Sequence, residues 1–176
     1  IRLGKFSVEF IHVNHSIPDA VAFAITCDAG TVVQMGDFKI DTTPIDDKVI
    51  DLARFAELGK NGVLALLSDS TNAERPGMAM SEKKVGKSLE AQFNNCDKRI
   101  IVASFSSNVH RIQQVLDISA KYGRKVCVSG RSMENIMKIG TELGYLNYPK
   151  GLVVDISLMK KYPKDKMTVI TTGSQG

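Results

Sequence analysis

The clearest structural pattern in this chain is RIIVASFSSNVHRIQQVLDISAKYGRKVCVS, at residues 99–129. Apolar residues fill its first part and predict a short buried strand over 99–105. Helical spacing of apolar residues follows over 109–122, and a second apolar run predicts a strand over 125–129. A strand, an amphipathic helix and a strand in succession are typical of a βαβ unit with parallel strands.

The same alternation continues on both sides of this unit. It predicts helices at 82–94 and 132–143, a short helix at 155–161 and a last strand at 167–172. The first forty residues differ. Period-two alternation predicts a strand over 6–13, and an apolar run over 21–26, a turn at 28–30 and a strand over 31–35 predict an antiparallel hairpin. A helix over 46–58, with Val49, Leu52, Ala53, Ala56 and Phe55 inward, and an apolar strand over 63–67 follow. The change of pattern near residue 80 predicts two domains, 1–80 and 81–176.

Composition limits the class of protein. Of the 176 residues 43% are apolar and 24% charged, which favours a folded domain over a disordered one. The net charge of +4 is compatible with a nucleic-acid partner. The three cysteines are far apart, which favours reduced thiols in a cytoplasmic protein, and no apolar run approaches a membrane span. The chain begins at Ile1 without Met and ends in a loop, so we expect a fragment of a longer protein.

Two polar segments, 14–19 and 36–41, each follow a predicted strand. His15 and Asp37 can therefore meet in space, and imidazole with carboxylate is a ligand pair that suits zinc. Asp19 is placed to orient the imidazole. Alternatively, His15 is a structural histidine and Asp37 caps a turn. Two ligands are too few for a complete site.

Further polar residues end other predicted strands. Asp69 follows the apolar strand 63–67, where α/β sheets bind ligands, or it caps the turn 70–72. Three loops rich in hydroxyl, amide and small side chains also follow strands, and two of them lead into helices. Helix N-termini bind phosphate, arginine adds a bidentate partner, and ordinary helix capping is the alternative. The candidate phosphate-binding or RNA-binding residues are Phe105, Ser106, Ser107, Asn108, His110, Arg131, Ser132, Gly173, Ser174 and Gln175.

Taken in order, six segments resemble the ribonuclease J family, in the β-CASP branch of the metallo-β-lactamase superfamily. They are HSIPD (15–19), GDFK (36–39), LLSDSTN (66–72), SNVHRIQQ (107–114), GRSM (130–133) and TGSQG (172–176). The resemblance implies an α/β protein in which 1–80 is the C-terminal portion of a metallo-β-lactamase αββα sandwich. Residues 81–176 would then be part of a doubly wound, Rossmann-like β-CASP domain.

The resemblance also implies a function for the longer parent protein. It would be a two-metal ribonuclease with 5′→3′ exonuclease and endonuclease activity in mRNA decay and rRNA maturation. His15 would ligate one metal, Asp37 would bridge two Zn²⁺ ions (or Mn²⁺), and Asp69 would be the acidic residue of a β-CASP motif. RNA and other copies of the protein, as a dimer or tetramer, would be its partners in the cytoplasm.

The family's His-x-His-x-Asp-His motif and its later histidines have no counterpart in this sequence. We therefore expect the 176-residue chain alone to be inactive and to bind metal poorly. Two alternatives remain open at this stage. One is a non-catalytic RNA-binding or assembly subunit of an RNA-degrading complex. The other is a nucleotide- or phosphosugar-binding α/β domain, which leaves segments 14–19 and 36–41 without a role.

Overall fold

The computed structural model describes residues 1–77 and 79–173, and the chain forms two compact units. The first unit comprises residues 1–15 and 19–81, and the second comprises 16–18 together with the chain from Glu82 onward. The assignment of the domains 1–80 and 81–176 to a metallo-β-lactamase portion and a β-CASP domain remains a prediction.

The first unit is a five-stranded sheet with one α-helix. Its strands lie in chain order: β1 (Arg2–Leu3), β2 (Phe6–His12), β3 (Val21–Cys27), β4 (Gly30–Gln34) and β5 (Ala65–Leu67). The first four pair antiparallel, which confirms the predicted antiparallel strands β2, β3 and β4 and adds β1, and β5 runs parallel to β4. Alternate residues of β2 to β4 turn to one face and form the core with Ile50 and Leu58.

Helix α1 (Leu52–Asn61) begins later and ends later than the sequence predicted. The side chain of Asp51 accepts a hydrogen bond from the backbone N–H of Arg54, which places the start of the helix there. The predicted inward residues Val49 and Leu52 are about half exposed, and Leu58 is buried instead. Gly62, at φ +92°, ends the helix, since glycine tolerates that conformation.

The second unit is a three-stranded parallel sheet with helices. In chain order its elements are α2 (Glu82–Asn94), β6 (Ile100–Ser104), α3 (Val109–Lys121), β7 (Lys125–Ser129), α4 (Arg131–Glu142), two 3-10 helices (Ile156–Lys161 and Lys164–Lys166) and β8 (Met167–Thr172). The strand order is β6-β8-β7, so the last strand lies between the two earlier ones. The predicted βαβ alternation is confirmed.

The two faces of this sheet are covered differently. Helices α2, α3 and α4 all contribute to one core, which includes Val126 and Ile170 of the sheet. On the opposite face Cys127, Met167 and Val169 pack against the segment of the first 3-10 helix. Both faces of the sheet are thus covered in the described residues, one by α-helices and the other by a 3-10 segment, and the doubly wound, Rossmann-like assignment remains a prediction. Pro163 lacks a backbone N–H and interrupts any continuous helix there.

In the ranges 1–77 and 79–173, no helix is long and apolar enough to cross a membrane.

Candidate functional site

His15 and Asp37 lie together in the first unit. The imidazole Nε2 is 3.8 Å from the carboxylate Oδ2, and the two side chains are 34% and 77% exposed. The Asp37 side chain is therefore exposed to solvent, and the His15 side chain is partly exposed. The segments meet because Asn14 and Lys39 form an isolated antiparallel bridge, in which Lys39 N–H donates to the Asn14 carbonyl over 2.8 Å.

The side chain of Asn14 stabilises this arrangement by hydrogen bonds to a third segment. Its side chain is buried, its Nδ2 donates to the carbonyl of Lys48 over 2.5 Å, and its Oδ1 accepts from the N–H of Ile50 over 3.0 Å. A buried amide with both ends satisfied fixes the backbone on either side of it. Sequence reasoning did not single out Asn14, since its role depends on a partner segment 34 residues away.

Gly36 and Asp41 shape the second segment. Gly36 has φ +62°, a conformation that glycine adopts without strain, and it directs the chain from β4 into Asp37. Asp41 is buried, accepts from the N–H of Thr43 over 3.0 Å, and lies 3.4 Å from Lys39 Nζ. Asp41 is thus a turn-capping residue.

Asp69 follows β5 and caps the turn after it. Its Oδ1 accepts from the N–H of Thr71 over 2.8 Å. Hydrogen bonds from the backbone and side chain of Thr71 lower the pKa of Asp69, and the nearby charge of His15 lowers it further. Asp69 therefore performs the capping role and also lies within electrostatic reach of His15.

The predicted support of His15 by Asp19 stays a prediction. Asp19 lies at φ +55° and forms an ion pair with Lys48, with 3.2 Å between Oδ1 and Nζ. In the described parts of the chain, no group of three or more His, Cys, Asp or Glu side chains is arranged to hold a metal ion. His15 and Asp37 are thus a pair of donors and not a complete site.

In the second unit, the three candidate loops start at one edge of the parallel sheet. Ser104 of β6 pairs in register with Thr172 of β8, and Ser129 of β7 pairs with Thr171. The chain therefore leaves all three strands side by side, as the carboxyl ends of parallel strands must. Phe105, Ser107, Arg131 and Ser132 are exposed there, whereas Ser106, Asn108, His110 and Gly173 are partly buried. Ser174 and Gln175 lie outside the described residues.

The two helices that begin at this edge are capped differently. Asn108 Oδ1 accepts from the N–H of Arg111 over 3.0 Å, so that side chain caps α3, which is the alternative role considered for it. Gly130, at φ +108°, precedes α4 and provides no side-chain cap. The first N–H groups of α4 are therefore open to another acceptor.

The end of the 107–114 segment has a structural role that the sequence did not reveal. Arg111 pairs with the Glu82 carboxylate over 2.9 Å, and Gln114 Nε2 donates to the Glu82 carbonyl over 2.8 Å. Gly86 leaves room for this contact, since a Cβ there would lie 2.8 Å from Gln114 Nε2. These groups fasten the start of α2 to α3. Their spacing of three along α3 is visible in the sequence, but their partner is not.

Charge divides unequally between the two units. The first contains seven basic and eleven acidic residues, for a net charge of −4. The second contains sixteen basic and eight acidic residues, for a net charge of +8. The second unit is therefore strongly basic, although the net charge of the whole chain is only +4. A basic unit of this kind favours polyanionic ligands.

Comparison with known proteins shows what this chain is similar to. Residues 97–176 match the family model described as the β-CASP domain of ribonuclease J. A solved structure with a similar fold, a protein of unknown function from Enterococcus faecalis V583, superposes with a TM-score of 0.64 at 17% identity. The superposition covers 99% of this chain and 43% of the Enterococcus faecalis chain.

Curated relatives make the relationship more specific. Ribonuclease J of Helicobacter pylori strain J99 is 44% identical over the whole of this chain and 25% of its own length. Ribonuclease J of Synechocystis is 46% identical over the whole of this chain, which corresponds to 28% of the Synechocystis protein. Ribonuclease J2 of Bacillus subtilis is 42% identical over the whole of this chain, which corresponds to 32% of the Bacillus protein. The resemblance to ribonuclease J is confirmed, and the chain spans about a quarter to a third of the length of these relatives.

Proposed function

We propose that this chain is part of a metal-dependent ribonuclease that hydrolyses RNA phosphodiester bonds. The observation that carries the proposal is the 3.8 Å approach of His15 Nε2 to Asp37 Oδ2, in a chain whose curated relatives are named ribonuclease J. The first unit would be part of a metallo-β-lactamase sandwich and would contribute the metal-binding residues. The second, basic unit would bind the RNA.

The geometry of the donor pair fits a shared metal. Zinc lies about 2 Å from histidine nitrogen and carboxylate oxygen, so two of its ligand atoms are at most about 4 Å apart. The observed 3.8 Å is within that limit. His15 would hold one ion and Asp37 would bridge two Zn²⁺ ions, or two Mn²⁺ ions. The remaining ligands would come from polypeptide outside this sequence.

Each residue of the pair then has a defined task. Two bound metals would activate water and offset the charge that develops on the phosphate oxygens. His15 provides a nitrogen donor on a backbone that the Asn14 side chain anchors, and Asp37 provides two oxygens from an exposed position. Asp69 adds negative charge beside His15, which favours a cation there.

The carboxyl edge of the parallel sheet would hold the RNA. The open N–H groups of α4 and the exposed Arg131 suit phosphate oxygens, and the exposed Phe105 suits a base. In the longer protein this binding would serve 5′→3′ exonuclease and endonuclease action in mRNA decay and rRNA maturation. We further propose a cytoplasmic dimer or tetramer.

The experiment is a pair of single substitutions in the full-length protein that contains this chain. Asp37→Ala should abolish cleavage of single-stranded RNA without impairing RNA binding. Asp28→Ala, which removes another exposed carboxylate of the same unit, is the matched control and should cleave normally. Near-normal turnover by the Asp37 variant would exclude the assigned role.

A non-catalytic RNA-binding or assembly subunit is the second candidate. The finding that favours it is that the described residues provide two metal donors and no larger group. Calorimetric titration with Zn²⁺ separates the candidates when it is applied to the full-length protein. Two tight sites per chain that weaken on His15→Ala support the nuclease, whereas undiminished RNA binding with no tight zinc binding supports the subunit.

A further inference from the structure

A compact group of lysines lies outside the predicted RNA-binding loops. Residues 160–166 include the end of the first 3-10 helix and the whole of the second. Four of these seven residues are exposed lysines, namely Lys160, Lys161, Lys164 and Lys166. Among the described residues none of them forms an ion pair. We call this group the lysine ridge.

The lysine ridge is held in place by packing and is not a loose tail. Met159 and Tyr162 pack against the buried Cys127, Met167 and Val169. At its start, Asp155 Oδ1 accepts from the N–H of Ser157 over 2.8 Å. The chain from Lys160 to Lys166 cannot extend over more than about 20 Å, because it contains six peptide steps. The four positive charges are therefore close together on a segment that is packed against the sheet.

The acidic groups nearby do not neutralise the lysine ridge. Asp155 and Asp165 are the two acids of the segment 155–166, so its four lysines keep an excess of positive charge. Arg99 adds a further positive charge on this side, since its charge acts on the Cys127 thiol. Arg99 Nε is buried and has no hydrogen-bond partner among the described residues.

The lysine ridge is also separate from the carboxyl-edge loops. Lys166 directly precedes β8, so the ridge lies toward the amino end of the strand, whereas the loops lie beyond its carboxyl end. A strand of six residues spans about 20 Å. One phosphate cannot contact both places, but an extended polyanion can.

We propose that the lysine ridge is a second RNA-binding surface, which contacts the phosphodiester backbone without reading its sequence. This inference rests on the proposed function in one respect, that the second unit binds RNA. Lysine suits the task because its ammonium group is a compact point charge that contacts phosphate oxygens irrespective of the base. Each lysine that contacts a phosphate releases counterions, so the ridge strengthens binding most at low salt.

The test compares two variants of the purified chain that lose the same four charges. In the first, Lys160, Lys161, Lys164 and Lys166 are all replaced by Gln. In the second, the exposed lysines Lys84, Lys87, Lys138 and Lys150 of the same unit are replaced by Gln. Binding of an oligouridylate of about 20 nucleotides, longer than the site of one small RNA-binding domain, is measured at several salt concentrations.

We expect the ridge variant to bind at least about tenfold more weakly, and its plot of log affinity against log salt to be less steep by about 2 to 3 units. The control variant should lose less than about threefold. Circular dichroism should show both variants folded.

Other results overturn the proposal in distinguishable ways. Equal losses in both variants would mean that only net charge matters, and an unchanged ridge variant would exclude the ridge alone. If the unmodified chain binds no RNA at low salt, the RNA-binding role of the second unit fails together with the ridge. Loss of binding to vesicles of anionic lipid with undiminished RNA binding would assign the ridge to membranes instead.

Discussion

The imidazole of His15 lies 3.8 Å from the carboxylate of Asp37, although the two residues are 22 positions apart in the chain. The connection along the chain between these two residues does not by itself bring their side chains together. The contact depends on the bridge between Asn14 and Lys39 and on the buried Asn14 side chain. The buried Asn14 therefore supports the pair of His15 and Asp37. Substitution of Asn14 and substitution of Asp37 test the support and the pair separately.

Asp37 should matter for chemistry and not for folding. Its side chain is 77% exposed, so Asp37→Ala should change the free energy of unfolding by less than about 0.5 kcal/mol. Asp41→Ala should cost about 1–3 kcal/mol, since it removes a buried acceptor from Lys39 and Thr43. Urea denaturation of both variants measures the difference. Equal destabilisation by the two substitutions would contradict the assignment of Asp41 as structural.

Asn14→Ala should destabilise the first unit by about 2–3 kcal/mol, because it leaves the Lys48 carbonyl and the Ile50 N–H without their partner. The same substitution at the exposed Asn61 should have little effect. The midpoint of urea denaturation, followed by circular dichroism, measures both. A mild effect of Asn14→Ala would show that the two segments are held together by other contacts.

Two helical glycines should respond oppositely to alanine. Gly86→Ala should destabilise by about 1–3 kcal/mol, because the new Cβ would lie 2.8 Å from Gln114 Nε2. Gly59→Ala meets nothing within 4 Å and should stabilise α1 by about 0.5–1 kcal/mol. Thermal unfolding of both variants gives the sign of each change. The Gly86→Ala cost should shrink in a Gln114→Ala background, and an unchanged cost there would rule out this clash.

The ion pair between Glu9 and Arg54 should add a pH-dependent contribution to stability. Arg54 donates to both carboxylate oxygens over 2.8 Å, and these hydrogen bonds lower the pKa of Glu9 in the folded chain. Its contribution is therefore present above the pKa of the unfolded state and is lost as pH falls through the folded pKa.

At pH 7, Glu9→Gln should lower the melting temperature by about 1–3 °C, since the pair is partly exposed. At pH 3 the difference from the unmodified chain should shrink. The exposed Glu74→Gln is the control and should show no such dependence. A difference that grows on acidification would reverse the sign of the assigned pKa shift.

Much of the secondary structure could be predicted, because it follows from local periodicity. The strand Lys125–Ser129 and the strand Met167–Thr172 were predicted with the bounds that the structure shows. The errors lie where a local pattern competes with capping or connection. The spacing of apolar residues over 46–58 predicted a helix from residue 46, yet Asp51 starts α1 later. The predicted short helix over 155–161 is present as the 3-10 helix Ile156–Lys161.

The candidate site was predictable in part. The positions of His15 and Asp37 after two strands suggested that they meet, and the structure places them 3.8 Å apart. Their role as metal ligands remains a prediction. The position of the loops directly after strands also followed from the sequence pattern, whereas the use of Asn108 as a helix cap was one of two open possibilities.

Spacing and residue type alone thus determined the alternation of strands and helices, the family resemblance and the candidate donors, because each is encoded in residues close together along the chain. Tertiary structure decided the contacts between distant segments. It placed β8 between β6 and β7, joined Asn14 to the segment of Lys48 and Ile50, and packed the lysine ridge against β7 and β8. Such contacts depend on which surfaces can be buried together, and no local pattern specifies that choice.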